Sequence, residues 1–416
     1  MNLTLRFVAF AFVCLLSLHY LASYTSTTYH GQVGSLRSSW SSFKQNDVHG
    51  TNLTIPYAHT PKANATFVVL CREGEIGAIL ESLQLLESTF NDRPHHRYPY
   101  VFFNNEPFSE IFKLRISRAV SSSVEFAIVP AEMWDIPSSI DLVKAQKAWD
   151  KAGRSGMPYG GSKSYRQMCR FQSGFFFRHP LVEKYKYYWR VEPGVKYFCD
   201  LTDFDPFRFM QQNRKKYGFV LSMHEIPGTI RTLWIYVRQW YEQNADLLAP
   251  NNMFGFISDN NGRGYNKCHY WSNFEIADMD FYRSQAYLSF FNHLDQAGGF
   301  FYERWGDAPV HSIAASLLLD KSEVHYFDNV GYLHPPISHC PKPEKGNAIS
   351  PHTGRMRCYC PHESSFMFDD GRQSCLYNFL ENAIESVAPL VASDTLQPLG
   401  AGEEPSYQPA TVTTPA

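Results

Sequence analysis

Three places in the sequence set carboxylates where they could hold a divalent cation. Asp203-Phe204-Asp205 and Asp278-Met279-Asp280 have the alternate spacing that lets two carboxylates meet one ion. Glu192 stands alone, but it closes the run Tyr187-Tyr188-Trp189-Arg190-Val191. An ion at such a point would neutralise the charge that builds on a departing diphosphate. Position separates the three. Asp203 and Asp205 follow Cys199-Asp200-Leu201-Thr202 and read as loop or turn. Only Glu192 falls at the end of a strand in the place where open α/β sheets bind ligands. The plain alternative is a carboxylate that caps the turn before Pro193.

The elements that would position Glu192 follow from hydrophobic period. Phe67-Val68-Val69-Leu70-Cys71 is a short continuous apolar run, the pattern of a strand buried on both faces. Ile76, Ile79, Leu80, Leu83, Leu86 and Phe90 repeat at helical spacing. Tyr100-Val101-Phe102-Phe103 reads as a second strand, 111–120 as a helix and 124–129 as a third strand. This alternation predicts a doubly wound, mostly parallel or mixed α/β sheet in a single large domain, with a nucleotide-sized crevice at the strand C-termini. A Gly-rich polar loop over 153–164 leads to a helix over 165–177 and then to the strand 187–191. A strand is predicted over 218–223, helical period over 229–248, and an irregular aromatic stretch over 251–306. A helix over 309–319 and a strand over 324–327 lead into His334-Pro335-Pro336.

Composition narrows the class. The 416 residues are 44% hydrophobic and 19% charged, which is a folded rather than a disordered balance. A net charge of -2 and the lack of a long basic run give no reason to expect nucleic acid as the main partner. Aromatic residues reach 16%; most are expected in the core, although such rings also stack on sugars. The apolar run 7–22 is roughly 16 residues, a little short of the ~20 that span a bilayer. It reads as a signal anchor behind the short tail 1–6; a cleaved signal peptide is the competing reading. Residues 23–62 read as a Ser/Thr-rich stem, 63–385 as the catalytic domain and 386–416 as a disordered tail.

Either way the chain enters the secretory lumen. The sequons at Asn52 and Asn64 agree with that. Eight cysteines would be luminal, an even number that favours disulfides. Cys340, Cys358, Cys360 and Cys375, with His339, His352 and His362 near, could instead take zinc, but Cys-x-Cys is not the usual spacing for it.

The run from Tyr187 to Lys196 resembles the hallmark of the fungal α-1,2-mannosyltransferases of glycosyltransferase family 15. Four other blocks are similar in the same order: Ser164 to Phe171, Trp271 to Met279, Arg304 to Ser312, and Gly331 to Pro336. The likeness runs from about Phe67 to Cys340 and leaves out the stem and tail. It implies a GT-A fold, transfer of mannose from GDP-mannose with retention of configuration, and Mn²⁺ on the diphosphate. The setting would be the Golgi membrane, with the catalytic domain luminal and a mannosylated glycan or glycoprotein as acceptor.

The resemblance also implies roles. Glu192 would be the metal carboxylate and His334 the second protein ligand, a pair that suits Mn²⁺. His311 is a lower-ranked rival for the metal. Glu275 matches the family's proposed nucleophile; it could bond to the sugar or stabilise an oxocarbenium-like centre without bonding. Tyr165 would orient groups near the donor. Asp307 would act as base for the acceptor hydroxyl or bind it. Arg72 would grip the nucleotide and Arg170 a phosphate. Gly194, directly after Glu192-Pro193, is a local departure from the pattern that leaves the carboxylate and proline in place. The presence of Tyr165, Glu192, Glu275, Asp307 and His334 together argues against a non-catalytic, mannan-binding or complex-forming protein on the same fold. A secreted glycosidase that uses two carboxylates would need neither GDP-sugar nor metal, and the α/β opening speaks against it.

Overall fold

A computed structural model describes residues 61–342, 349, 357–361, 363, 365–368 and 373–384. The predicted anchor, most of the stem, the tail, Asn52, His352 and His362 lie outside these residues. Among the described residues, no helix is long and apolar enough to cross a membrane.

The centre is a seven-stranded sheet. Its strands are β1 (Ala65–Leu70), β2 (Tyr100–Asn104), β3 (Val124–Ile128), β4 (Tyr187–Val191), β6 (Tyr217–Phe219), β9 (Glu275–Asp278) and β10 (Val324–Tyr326). They lie in the order β10-β6-β9-β4-β1-β2-β3. β1 pairs in parallel with β2 and β4, and β2 with β3. β9 runs antiparallel between β4 and β6. The expected mostly parallel or mixed sheet is therefore what forms, with β9 as its reversed strand. β1 and β4 are buried nearly throughout because helices cover both faces, whereas the edge strand β3 is only partly covered.

Helix α1 (Ile76–Leu86) buries Ile79, Leu83 and Leu86 at spacings of four and three, the stripe that faces a sheet. Each such side chain contributes about 1.5–3 kcal/mol when fully buried. Helices α2 (Glu110–Ala119) and α3 (Leu142–Arg154) follow. α4 (Lys163–Gly174) starts where Ser162 accepts the Tyr165 backbone N–H at 3.2 Å. α5 (Leu233–Gln243), α6 (Gln285–Ala297), α7 (Asp307–Leu318) and α8 (Leu376–Ile384) complete the longer helices among the described residues. The expected irregular stretch 251–306 thus contains α6 and β9. Trp189 sits at the middle of the core, its ring within 6.0 Å of those of Phe67, Phe90, Phe207 and Phe274, so most aromatic residues are indeed packing.

Two smaller sheets flank the main one. β5 (Lys196–Tyr197), β11 (Tyr332–His334) and β12 (Ile337–His339) form one; β7 (Ser222–His224) and β8 (Cys268–Tyr270) form the other. The strand expected over 218–223 splits into β6 and β7 between these sheets. Disulfides join Cys199 to Cys358, Cys268 to Cys375 and Cys340 to Cys360. Cys71 and Cys169 stay free and buried. The zinc alternative fails because all four of its cysteines are in disulfides. The cluster His224, Cys268 and Cys375 also has its two sulfurs joined to each other.

Candidate active site

Glu192 leaves the C-terminal end of β4, beside β5 and β11. Its Oε2 lies 3.3 Å from His334 Nε2 at the end of β11. β11 reaches that place because it pairs with β5, the strand directly after the Glu192 turn. The turn depends on Gly194, whose φ of +85° is a left-handed value that glycine adopts without strain. The residue that looked like a departure in sequence is what lets the chain fold back toward β5. The ring of Trp271 packs against His334 at 4.7 Å, and the His334 Nδ1 is buried without a hydrogen-bond partner. The peptide between Pro335 and Pro336 is cis.

Residues alternate faces along a strand, so Arg190 projects on the same side as Glu192. Its guanidinium spans two carboxylates, donating from Nη2 to Glu192 Oε1 at 2.5 Å and from Nη1 to Asp307 Oδ2 at 2.5 Å. Asp307 opens α7 and also accepts from Ser272 Oγ at 2.7 Å. Burial works against ionisation of Asp307, but the Arg190 charge, His311 and the Ser272 hydrogen bond outweigh it and bring its pKa down to about 2. Glu192 shows the same contest. Burial raises its pKa, Arg190 and His334 lower it by more, and the net shift is downward. Burial also disfavours the Arg190 charge, yet the two carboxylates more than restore it.

The other two Asp-x-Asp candidates do different work. Asp205 is fully buried, caps the helix Pro206–Gln212 and accepts the Tyr98 hydroxyl at 2.7 Å. Asp278 caps the short helix Met279–Arg283 and faces Lys186.

Tyr165, on the first turn of α4, stacks on Tyr159 with ring centroids 4.4 Å apart and 1° between planes. The Arg304 guanidinium lies 5.2 Å from the Tyr165 ring centre. Burial pushes the Tyr165 phenol well above its ordinary pKa, so it serves as a hydroxyl and not as a phenolate. Arg72 stands exposed just past β1 and donates to Ser164 Oγ at 2.6 Å, which sets it at the same edge of the sheet as Tyr165.

Two expected site residues sit elsewhere. Arg170 is buried and forms a two-pronged ion pair with Asp295, at 2.7 and 2.9 Å. Its guanidinium is committed to α6 and is not free for a phosphate. Glu275 lies on β9, across from Arg190 if the Trp189–Ile276 register is continued by one step. It has no exposed surface. Tyr188 and Tyr282 donate to its Oε1; Tyr217 and His311 Nδ1 reach its Oε2 at 2.6 and 2.9 Å. His311 Nε2 faces the Gln172 carbonyl at 3.1 Å, so both of its ring nitrogens have protein partners and it is no rival to His334 as a metal ligand.

Arg190 and Ser272 were not singled out in the sequence. The signal for Arg190 was there: two residues before Glu192 on a strand means the same face. Ser272 and the tyrosines around Glu275 come together only through tertiary packing.

An α/β sheet with a carboxylate–imidazole pair at its C-terminal edge and a cation bridging to a second carboxylate defines a metal-dependent glycosyltransferase of the GT-A kind. The glycolipid 2-alpha-mannosyltransferase family model matches residues 26–384, and the chain belongs to that family of mannosyltransferases. It is 47% identical over 317 residues to the O-glycoside alpha-1,2-mannosyltransferase homolog 2 of Schizosaccharomyces pombe, covering 76% of this chain and 81% of the relative. Likeness to alpha-1,2 mannosyltransferase KTR1 of Saccharomyces cerevisiae is also 47%, over 304 residues, covering 73% and 75%. Core-mannan synthase A from Aspergillus fumigatus, solved in an Mn/GDP form, superposes with a TM-score of 0.69 at 38% identity, covering 78% of this chain and 87% of that one. The S. cerevisiae mannosyltransferase Ktr4p in complex with GDP gives 0.71 at 37%, covering 78% and 83%. Mn²⁺ is thus a cofactor of this family. The residues here fit it, since the Glu192 carboxylate and the His334 imidazole face each other through Oε2 and Nε2, a donor set that manganese accepts.

Proposed function

We propose that this protein transfers mannose from GDP-mannose to a mannose-bearing O- or N-glycan and makes an α-1,2 linkage with retention. The observation that carries this reading is the approach of Glu192 and His334 at the strand edge, with Arg190 linking that pair to Asp307. Glu192 and His334 would hold Mn²⁺, and the ion would supply charge neutralisation for the departing diphosphate. Arg72 would contact the donor nucleotide from the end of β1. Asp307 is an ionised carboxylate with a pKa of about 2, which makes it a poor proton acceptor near neutral pH and a good anchor for an acceptor hydroxyl. Of its two expected roles, this favours binding. Tyr165 would orient the reacting groups through its neutral hydroxyl.

Glu275 is enclosed by three tyrosine hydroxyls and the His311 ring, which supports the role that needs no bond to the sugar. Its negative charge would act through space and through His311, one turn along α7 from Asp307. We also read 7–22 as the anchor of a single-pass type II Golgi protein, 23–62 as its stem, 63–385 as the luminal catalytic domain and 386–416 as a tail.

The test is transfer from GDP-mannose to methyl α-mannoside by the luminal domain, with Mn²⁺ and then with EDTA, the linkage read by NMR. A metal-dependent α-1,2 disaccharide is expected. Hydrolysis without transfer, or equal rates in EDTA, would overturn the proposal.

A further inference from the structure

A groove of about 520 Å³ opens beside the site. That volume lies within the ~300–1,000 Å³ typical of ligand pockets. One wall is the loop after β7, with Glu225 and Ile226. A second is Lys267, just before β8, which holds a left-handed φ of +74° and whose carbonyl accepts the Glu225 backbone N–H at 2.8 Å. His224, Ile337 on β12, and Phe366 and Gln373 from the segment between Cys360 and Cys375 also line it. A strained non-glycine backbone at a pocket rim costs about 1–3 kcal/mol and clusters at functional positions.

Two of the groove's lining residues are tied to the site. Glu225 Oε1 lies 3.5 Å from Arg304 Nη2, and the same guanidinium lies over Tyr165 and stands three residues before Asp307. Ile337 stands three residues after His334, past the cis Pro335–Pro336 turn. An acceptor with its reacting hydroxyl at Asp307 therefore has this groove next to it. The chemistry of the lining is also informative. Ile226, Ile337 and Phe366 offer apolar faces for sugar C–H groups, while Glu225, Lys267 and Gln373 offer partners for hydroxyls. One lysine and one histidine beside one carboxylate suit a neutral polyol; a phosphate would call for clustered arginines and lysines.

We propose that the groove is a subsite for the mannose units of the acceptor that do not react, so that it sets preference for acceptor length. This rests on the reading that the acceptor is a mannose-bearing glycan. Its occupant would be the second and third sugar from the reacting end. Ile226 is 43% exposed at the rim, and a larger side chain there narrows the groove without touching Glu192, His334, Arg190 or Asp307.

The test compares wild type with Ile226→Trp and Lys267→Ala. Kinetics are measured on methyl α-mannoside and on α-1,2-mannotriose, and mannotriose binding to the GDP-loaded protein is followed by NMR without turnover. For Ile226→Trp, KM for mannotriose should rise roughly tenfold, the scale of a small apolar contact in a pocket. Its kcat and the monosaccharide kinetics should stay within about twofold, and mannotriose binding should weaken in parallel. Lys267→Ala, which removes a hydroxyl partner without narrowing the groove, should shift mannotriose KM in the same direction by a smaller factor. Equal losses on both acceptors, or unchanged mannotriose binding in both variants, would overturn the proposal. A wild-type protein that binds mannotriose through the groove yet transfers nothing would sink the transfer reading and leave the subsite standing. No mannotriose binding by the wild type would sink the subsite whatever the transfer result.

Discussion

Replacing Arg190 with methionine keeps an unbranched but shorter side chain and removes its charge. In the native protein this one guanidinium neutralises parts of two carboxylates, the buried Asp307 and the partly buried Glu192. Removal of one partner from a buried ion pair costs about 3–5 kcal/mol. The pH dependence makes the reasoning sharper. The Asp307 pKa falls from 3.8 to about 2, which corresponds to about 2.4 kcal/mol of stability. Because the folded value is the depressed one, that stability is fully present above 3.8 and is lost as pH falls through about 2. In Arg190→Met, burial acts on Asp307 with its main counterweight gone. Its folded pKa then rises above 3.8, and protonation favours the fold. The stability gap between variant and wild type should therefore be widest near pH 7 and narrow on acidification toward pH 4. Urea unfolding of both proteins at several pH values reads this directly, and transfer by the variant should be lost. A gap that stays constant with pH, or a variant as stable as wild type, would refute the account of Arg190 as the shared counterion.

His334→Ala should weaken GDP-mannose binding in Mn²⁺ while leaving metal-free GDP binding close to wild type, by calorimetry; unchanged manganese dependence would point to another ligand. Glu275→Gln should keep GDP-mannose binding and sharply lower transfer, with some loss of melting temperature as the tyrosine donors adjust; wild-type rates would remove any role for its charge. Cys199→Ser combined with Cys358→Ser opens a tie across 159 residues and should cost about 5 kcal/mol by loop entropy, read as a fall in unfolding free energy. His96 and His339 are held neutral by burial, with pKa values pushed down to about 3 and about 4. Their unfolded forms take up protons first, so stability should drop as pH falls below about 6.5, by roughly 1.4 kcal/mol per pH unit for each, seen as an acid-side slope in melting temperature.

The first half of the sheet was legible because β1, β2, β3 and β4 are apolar runs separated by amphipathic helices, and each repeats a period that local sequence reveals. β9 was not, since its four residues lie among aromatics and it gains its identity only by pairing with β4 and β6. Glu192 could be chosen by position alone, while His334 needed the family likeness; the β5–β11 pairing that unites them spans more than a hundred residues. Arg170 was misplaced for a similar reason. An arginine on a helix near a crevice looks like a phosphate ligand until Asp295, 125 residues later, folds against it. Arg190 shows the opposite case, a site residue that strand alternation from Glu192 would have revealed.

The place of β9 in the sheet has a consequence for synthesis. Strands β1 to β4 form one contiguous block and can associate once residue 191 has left the ribosome. β6 then emerges with no neighbour from that block to hold it, because the strand that lies between β4 and β6 is encoded about sixty residues later. Until β9 arrives, β4 has an open edge along Tyr187 to Trp189, with Glu192 beside it. His334 and the cysteines that tie down the final segment come later still. The nascent chain therefore carries half a sheet with an unpaired edge through much of its synthesis, and the corner that joins Glu192 to His334 is assembled last.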